Sequence, residues 1–336
     1  MDFLLSCIST RHSMLKNHWA QNKQAQQEQQ TECPVTVLGS LQKPKDDQGG
    51  LLCLLNDKGE VQASQEMSMP AGMVSTDDGF LVATMYEVHR VSRDLSTVQP
   101  TTISLPSFNL LHSLSRSQRG YLVASTGLDV IVEFSESGER LWDWWAVEHG
   151  FELTPGGEPR YINKDEDYRG VKFGTLAQTT HVNSVAELPD GTILATLFHQ
   201  GSVIAIDRAS GNWRTVLDGL DHPHSVRILN EDYITIADTG RGRGLLVNIK
   251  GLRGTIEAQV DAQTNWLQDC SYDYRNDLWV LVDGKNTRIV LRTGTAGEKP
   301  YGQIDLNPEW RLYEALPLAV VDSKPLSSLS MAHVQM

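Results

Sequence analysis

The sequence predicts an all-β protein: a six-bladed β-propeller with short four-stranded blades. Three observations predict it. Short runs rich in branched and aromatic residues, such as LLCLL (51–55), FLVATM (80–85), YLVAST (121–126), TILATLF (192–198), YITIAD (233–238) and LWVLVD (278–283), are each bounded by turn residues. Almost no 3.6-residue periodicity is sustained between them. The runs also recur. Residues 69–84 align without a gap under 181–196, sharing an Asp-Gly turn and a following Ala-Thr; 110–125 fit the same frame, and 222–238 and 267–283 fit with one extra turn residue each.

The third position of each unit gives a ruler: Ala71, His112, Asn183, His224 and Asp269, at steps of 41, 71, 41 and 45. The step of 71 is one period plus an insertion, read at 150–176, between blades three and four. Each unit is strand, tight turn, strand. A third strand often follows (202–207, 245–249, 287–292) and sometimes a fourth (213–217). That period with up to four strands per unit marks propeller blades. Residues 35–64 hold strands for the sixth blade. The expected organisation is a polar N-terminal extension over 1–33, the propeller over 34–307, and a closing strand or tail over 308–336. The extension rests on 20–32, glutamine-rich and nearly devoid of apolar residues.

Composition narrows the function classes. The 336 residues carry 42 acidic against 29 basic side chains, a formal net charge of −13, which argues against nucleic acid as a partner. No window approaches a membrane-spanning length, so no membrane partner is expected. Cys7, Cys33, Cys53 and Cys270 are scattered and read as reduced thiols. The start MDFLLSCISTRHS makes a poor signal peptide, so the expected location is cytoplasmic.

The innermost strand of each blade lines the central channel, so ruler positions converge near the axis. Residues two apart on a strand face one way, which predicts that His181 shares a face with Asn183, and His222 with His224. One channel mouth is then expected to hold His112, His181, Asn183, His222, His224 and Asp269. A hydrocarbon core explains such a set poorly, because buried imidazoles without partners cost a few kcal/mol. Two chemistries fit. Three histidines, His112, His181 and His224, are a ligand set for a divalent metal in the channel (Zn, Fe or Ca). Alternatively, one imidazole is a nucleophile whose neighbours hold a group in transfer. The expected partner is a small molecule in either case; a third reading is a non-catalytic ligand- or protein-binding propeller. Neutralising the histidines by raising the pH from about 6 to 8 is expected to weaken the binding of any anionic ligand.

The segments SGERLWDWW (137–145), HVNSVAELPDGTILATLFHQGSVIAID (181–207) and HPHSVRILNEDYITIADTG (222–240) resemble the arylsulfotransferase-like β-propeller family. The resemblance implies group transfer from an aryl sulfate to a phenol. It implies His224 as the histidine that takes up the sulfuryl group, His181 and Asn183 as its oxygen-binding pair, and His112, more loosely, as a further site histidine. Where the family carries an arginine, this chain has Phe198, followed by His199. Arg241 or Arg243 of the next turn would then be the substitute cation. Six-bladed propellers also include metal-dependent lyases, and VDGKNTRIVLR (282–292) resembles strands of such proteins. The insertion is expected over the mouth, with Trp142, Trp144, Trp145, Phe151, Tyr161, Tyr168 and Phe173 as blade plugs or an aromatic wall. Tyr86 and Lys285 are further candidates for the channel lining.

Overall fold

The computed structural model describes residues 1–17 and 49–318. They build six antiparallel sheets arranged as the blades of a propeller. The first blade holds β1 (Asp2–Ser9), β2 (Leu51–Leu55) and β3 (Val61–Glu66), and the second β4 (Met73–Ser75), β5 (Gly79–Ala83) and β6 (Val88–Ser92). The third is β7 (Leu111–Ser117), β8 (Gly120–Ser125), β9 (Val130–Phe134) and β10 (Arg140–Trp145). The fourth is β11 (Val182–Glu187), β12 (Ile193–Leu197), β13 (Ser202–Ile206) and β14 (Trp213–Leu217). β15 (His224–Ile228), β16 (Tyr233–Asp238), β17 (Arg243–Asn248) and β18 (Thr255–Asp261) form the fifth. β19 (Leu267–Asp273), β20 (Leu278–Asp283), β21 (Arg288–Thr293) and β22 (Lys299–Asp305) form the sixth. The last strand, β23 (Arg311–Leu318), returns to the first blade, whose order is β23–β1–β2–β3. Both ends of the described chain thus close the ring in one sheet. Blade two has three strands, its outer side continued by single bridges Val88–Ile103 and Val91–Val98.

Residues 308–318 therefore supply the innermost strand of blade one. The expectation of a polar extension fails at its start: β1 is a blade strand, with Phe3, Leu4, Leu5 and Cys7 fully buried. The apolar run looked short because Ser6 interrupts it. That serine is buried, and its hydroxyl donates to Ala71 O at 2.8 Å in the next blade. The glutamine-rich stretch and residues 35–48 lie outside the described residues, as does Cys33. Cys7, Cys53 and Cys270 are buried free thiols.

Apolar clusters fill the spaces between blades, and the tryptophans of β10 are plugs. Trp144 and Trp145 are fully buried. Trp142 and Trp144 donate across to Arg208 O (3.1 Å) and Gly211 O (3.0 Å) of blade four. Nearer the axis, the serine after three of the ruler positions stitches neighbouring inner strands. Ser113 Oγ accepts from Val185 N at 3.0 Å, Ser184 Oγ accepts from Val226 N at 2.8 Å, and Ser225 Oγ donates to Cys270 O at 3.3 Å. Buried backbone polar groups need partners, and a hydroxyl is small enough to serve where blades converge.

Candidate active site

The ruler residues begin the inner strands, and the turns after each second strand come up beside them at the same end of the ring. A repeated distortion sits here. Met69, Leu110, His181 and His222, each two residues before a ruler position, have φ of 49°, 51°, 49° and 55°. A bulge follows in β7, β11 and β15. The left-handed backbone and the bulge break the two-residue alternation. His181 and His222 therefore precede their strands and do not share a strand face with Asn183 and His224. Left-handed backbone at a non-glycine residue costs about 1–3 kcal/mol, and the surroundings hold it in place. For His181, the buried Asp129 carboxylate accepts from its backbone N at 2.6 Å, from Thr180 N at 3.0 Å and from Thr179 N at 2.7 Å.

The turn in the backbone has a chemical consequence. His112 Nδ1 lies 3.0 Å from Leu110 O, and His224 Nδ1 lies 3.0 Å from His222 O, the same i to i−2 contact in two blades. Thr239 Oγ1 lies 2.9 Å from His224 Nδ1, and Gln178 Oε1 pairs with His181 Nδ1. Carbonyl and amide oxygens only accept, so Nδ1 carries the proton in all three rings, and Nε2 keeps its lone pair. Burial pushes His112 down to about 4 and His224 down to about 3. Burial, followed by the neighbouring imidazoles, holds His181 well below the usual range. Three consecutive blades thus present neutral imidazoles at one mouth.

The rings form one cluster. His112 meets His181 edge to face at 5.1 Å between centroids. Phe198 packs against His181 (4.7 Å), His199 (5.4 Å), His222 (4.2 Å) and His224 (5.6 Å). Trp266 reaches His224 at 6.1 Å, and Tyr313 reaches His112 at 5.7 Å. His199 Nε2 lies 2.9 Å from Thr175 O, which ties it to the insertion, while the exposed His222 pairs with Asp221. Asn183 is buried; its Nδ2 donates to Pro223 O at 3.3 Å, and its Oδ1 has no partner among the described residues.

The other candidates are engaged by the protein or lie elsewhere. Asp269 lines the channel cavity but is bound by Arg227 Nη2 at 2.9 and 3.0 Å, which also reaches Glu314 at 3.1 Å. Arg241 and Arg243 are committed to Asp238, at 3.1 and 2.8 Å, in their own turn. Lys285 is exposed beside Asp283. Tyr86 is half-buried in the β5–β6 turn, and among the described residues no ring contact joins it to the cluster. The insertion docks beside the mouth through Arg160 on Asp129 and Asn109 Nδ2 on Tyr168 O (2.7 Å). Its Tyr168 and Phe173 pack on each other, and Tyr161 is 91% exposed. The aromatic wall of the mouth is Phe198, Trp266 and Tyr313 instead.

The metal reading fits this donor set poorly. Among the described residues no three His, Cys, Asp or Glu side chains gather to hold an ion, and Phe198 packs against both His181 and His224. Below the rings the channel opens into a cavity of about 440 Å³ lined by His112, Asn183, His224, Arg227, Tyr313 and Glu314 among others.

The ruler also runs on past its fifth mark. Tyr313 lies 44 residues after Asp269 and takes the place of His112 and His224, and Arg311 takes that of His181 and His222. Burial lowers the Arg311 guanidinium to about 10, so it stays charged at neutral pH, and its charge depresses both His112 and His224. Extending the spacing by one period would have found both residues.

No protein-family model and no curated protein matches this chain. Solved structures do. A Bacteroides caccae protein of unknown function aligns at 15% identity over 83% of this chain and 96% of that one, with a TM-score of 0.56. A chain of a nidogen–laminin complex aligns at 12% identity over 94% and 97%, at 0.58. Virginiamycin B lyase from Staphylococcus aureus aligns at 14% over 72% of each chain, at 0.48. At these identities the likeness shows the fold alone.

Proposed function

We propose that this protein is an enzyme that transfers a group from a small aromatic anion, in the manner of the arylsulfotransferase-like propellers, through the histidine mouth. The observation that carries the reading is the trio of neutral imidazoles with Nδ1 tied down and Nε2 left as a lone pair. A neutral imidazole with a fixed tautomer is a nucleophile at any pH above its own pKa. In the proposed step, His224 Nε2 bonds to the sulfur of an aryl sulfate. The S–O bond breaks, and its electron pair leaves on the aryl oxygen. An acceptor phenol then takes the sulfuryl group, its proton passes to solvent, and the N–S bond breaks with its pair returning to nitrogen. His112, His181 and Asn183 would hold the sulfuryl oxygens, Phe198 and Trp266 the ring, and the charge of Arg311 would favour the anion where Phe198 replaces the family's arginine.

Incubating the full chain with 4-nitrophenyl sulfate and a phenolic acceptor tests this. His224→Ala should lower turnover at least about a thousandfold, and brief exposure of the wild type should leave one SO3 group on His224 by mass spectrometry. Unchanged turnover in His224→Ala overturns the reading. Binding without turnover in both proteins would favour a ligand-binding propeller.

A further inference from the structure

Tyr313 is the ruler residue of the closing strand, and its situation differs from that of the histidines it replaces. Its ring stands edge to face against His112, at 5.7 Å and 79°. It lines the channel cavity together with His112, Asn183 and His224. Its hydroxyl has no hydrogen-bond partner among the described residues. A phenol held at a cavity wall without a protein partner is a donor in search of an acceptor. Burial, and then the charges of Glu314 and Asp269, raise its pKa well above the ordinary value, so it keeps its proton at every physiological pH. The three neutral histidines beside it cannot offer a proton from imidazolium in that range.

We infer that Tyr313 is a catalytic residue of this site, whose hydroxyl donates a hydrogen bond to the phenolic oxygen of the substrate as negative charge develops there. The inference rests on the group-transfer reading for its chemistry, though not for the contact itself. As the bond from sulfur to the aryl oxygen breaks, the electron pair moves onto that oxygen. Tyr313 donates to it and retains its own proton, and the aryl oxide takes a proton from water after release. Preorganised donors aimed at developing charge act this way in sites that exclude water. A further consequence is that the site is complete only once the last strand has closed the ring.

Tyr313→Phe keeps the ring against His112 and removes only the donor, so the fold is retained, which circular dichroism checks. With the full chain, turnover of phenyl sulfate should fall at least about tenfold more than that of 4-nitrophenyl sulfate, because the poorer leaving group needs the donor more. An equal fall for both, or none, overturns the inference. A second measurement needs no turnover: binding of 4-nitrophenolate, followed by its absorbance, should weaken at least about tenfold in Tyr313→Phe. If the wild type turns over no aryl sulfate yet binds the phenolate through Tyr313, the transfer reading falls and the contact stands. Equal binding by both proteins, or binding by neither, overturns it.

Discussion

His224 and Asp269 hold the same place in adjacent blades, yet the two positions do opposite things. Asp269 accepts a bidentate pair from Arg227, a hydrogen bond from Ala315 N at 3.0 Å and another from the Ser225 hydroxyl. Every lone pair is occupied, and the residues involved come from blades five, six and one, so the group is a clasp across the ring closure. His224 has one nitrogen anchored and the other free, beside a cavity and an aromatic ring. The repeat position brings a polar side chain to the axis. Whether that side chain binds the protein or something else depends on the valences its neighbours leave open.

The sharpest way to break this comparison is to remove one partner from each region. Arg227→Leu leaves the Asp269 and Glu314 carboxylates buried without their cation and should destabilise the fold by about 3–5 kcal/mol. His224→Gln should cost less than about 1 kcal/mol, since its open nitrogen holds nothing in the protein, while abolishing transfer. Chemical denaturation of the two variants measures both. Equal losses would make the histidine mouth a structural element like the clasp.

The periodicity, the position of the insertion and the meeting of His112, His181 and His224 could be read from sequence because each follows from repeat spacing. What failed did so for local reasons. Ser6 disguised β1, since an inter-blade hydroxyl looks like an interruption in an apolar run. The strand-face pairing of His181 with Asn183 failed because a left-handed residue at a non-glycine position has no composition signal. Trp266 and Tyr313 escaped for different reasons: the first precedes its strand, and the second lies one period beyond the fifth repeat, in the stretch read as a closing strand or tail. The role of Asp269 was illegible, because its partners come from two other, sequence-distant strands.

Acid should sharpen the contrast further. His112 and His224 hold protons more weakly in the fold, at about 4 and about 3, than in the unfolded chain, near the ordinary 6.5. The unfolded state therefore binds more protons below that value, and stability falls as pH drops from about 6.5 toward 4. At pH 5 each ring should cost about 2 kcal/mol. His112→Asn and His224→Gln should each recover that part of the acid loss, seen as a flatter dependence of stability on pH. Glu314 runs the other way: burial, then the charge of Asp269, against the pull of Arg227, raises it to about 7, so its contribution is full at low pH and fades as pH rises through that value. A loss below pH 6.5 that neither histidine variant reduces would place the acid sensitivity elsewhere.

The smallest effect expected is on ligand affinity. Were the imidazoles the source of positive charge, an aryl anion would bind more weakly at pH 8 than at pH 6. With His112, His181 and His224 already neutral at pH 6 and Arg311 still charged at pH 8, affinity for 4-nitrophenyl sulfate should change by less than about twofold across that range. Arg311→Gln should lower it at both pH values alike. A steep decline with pH would shift the anion from the three neutral rings to a group that titrates in that range. The trio would then act on the reacting bond without helping to hold the charge.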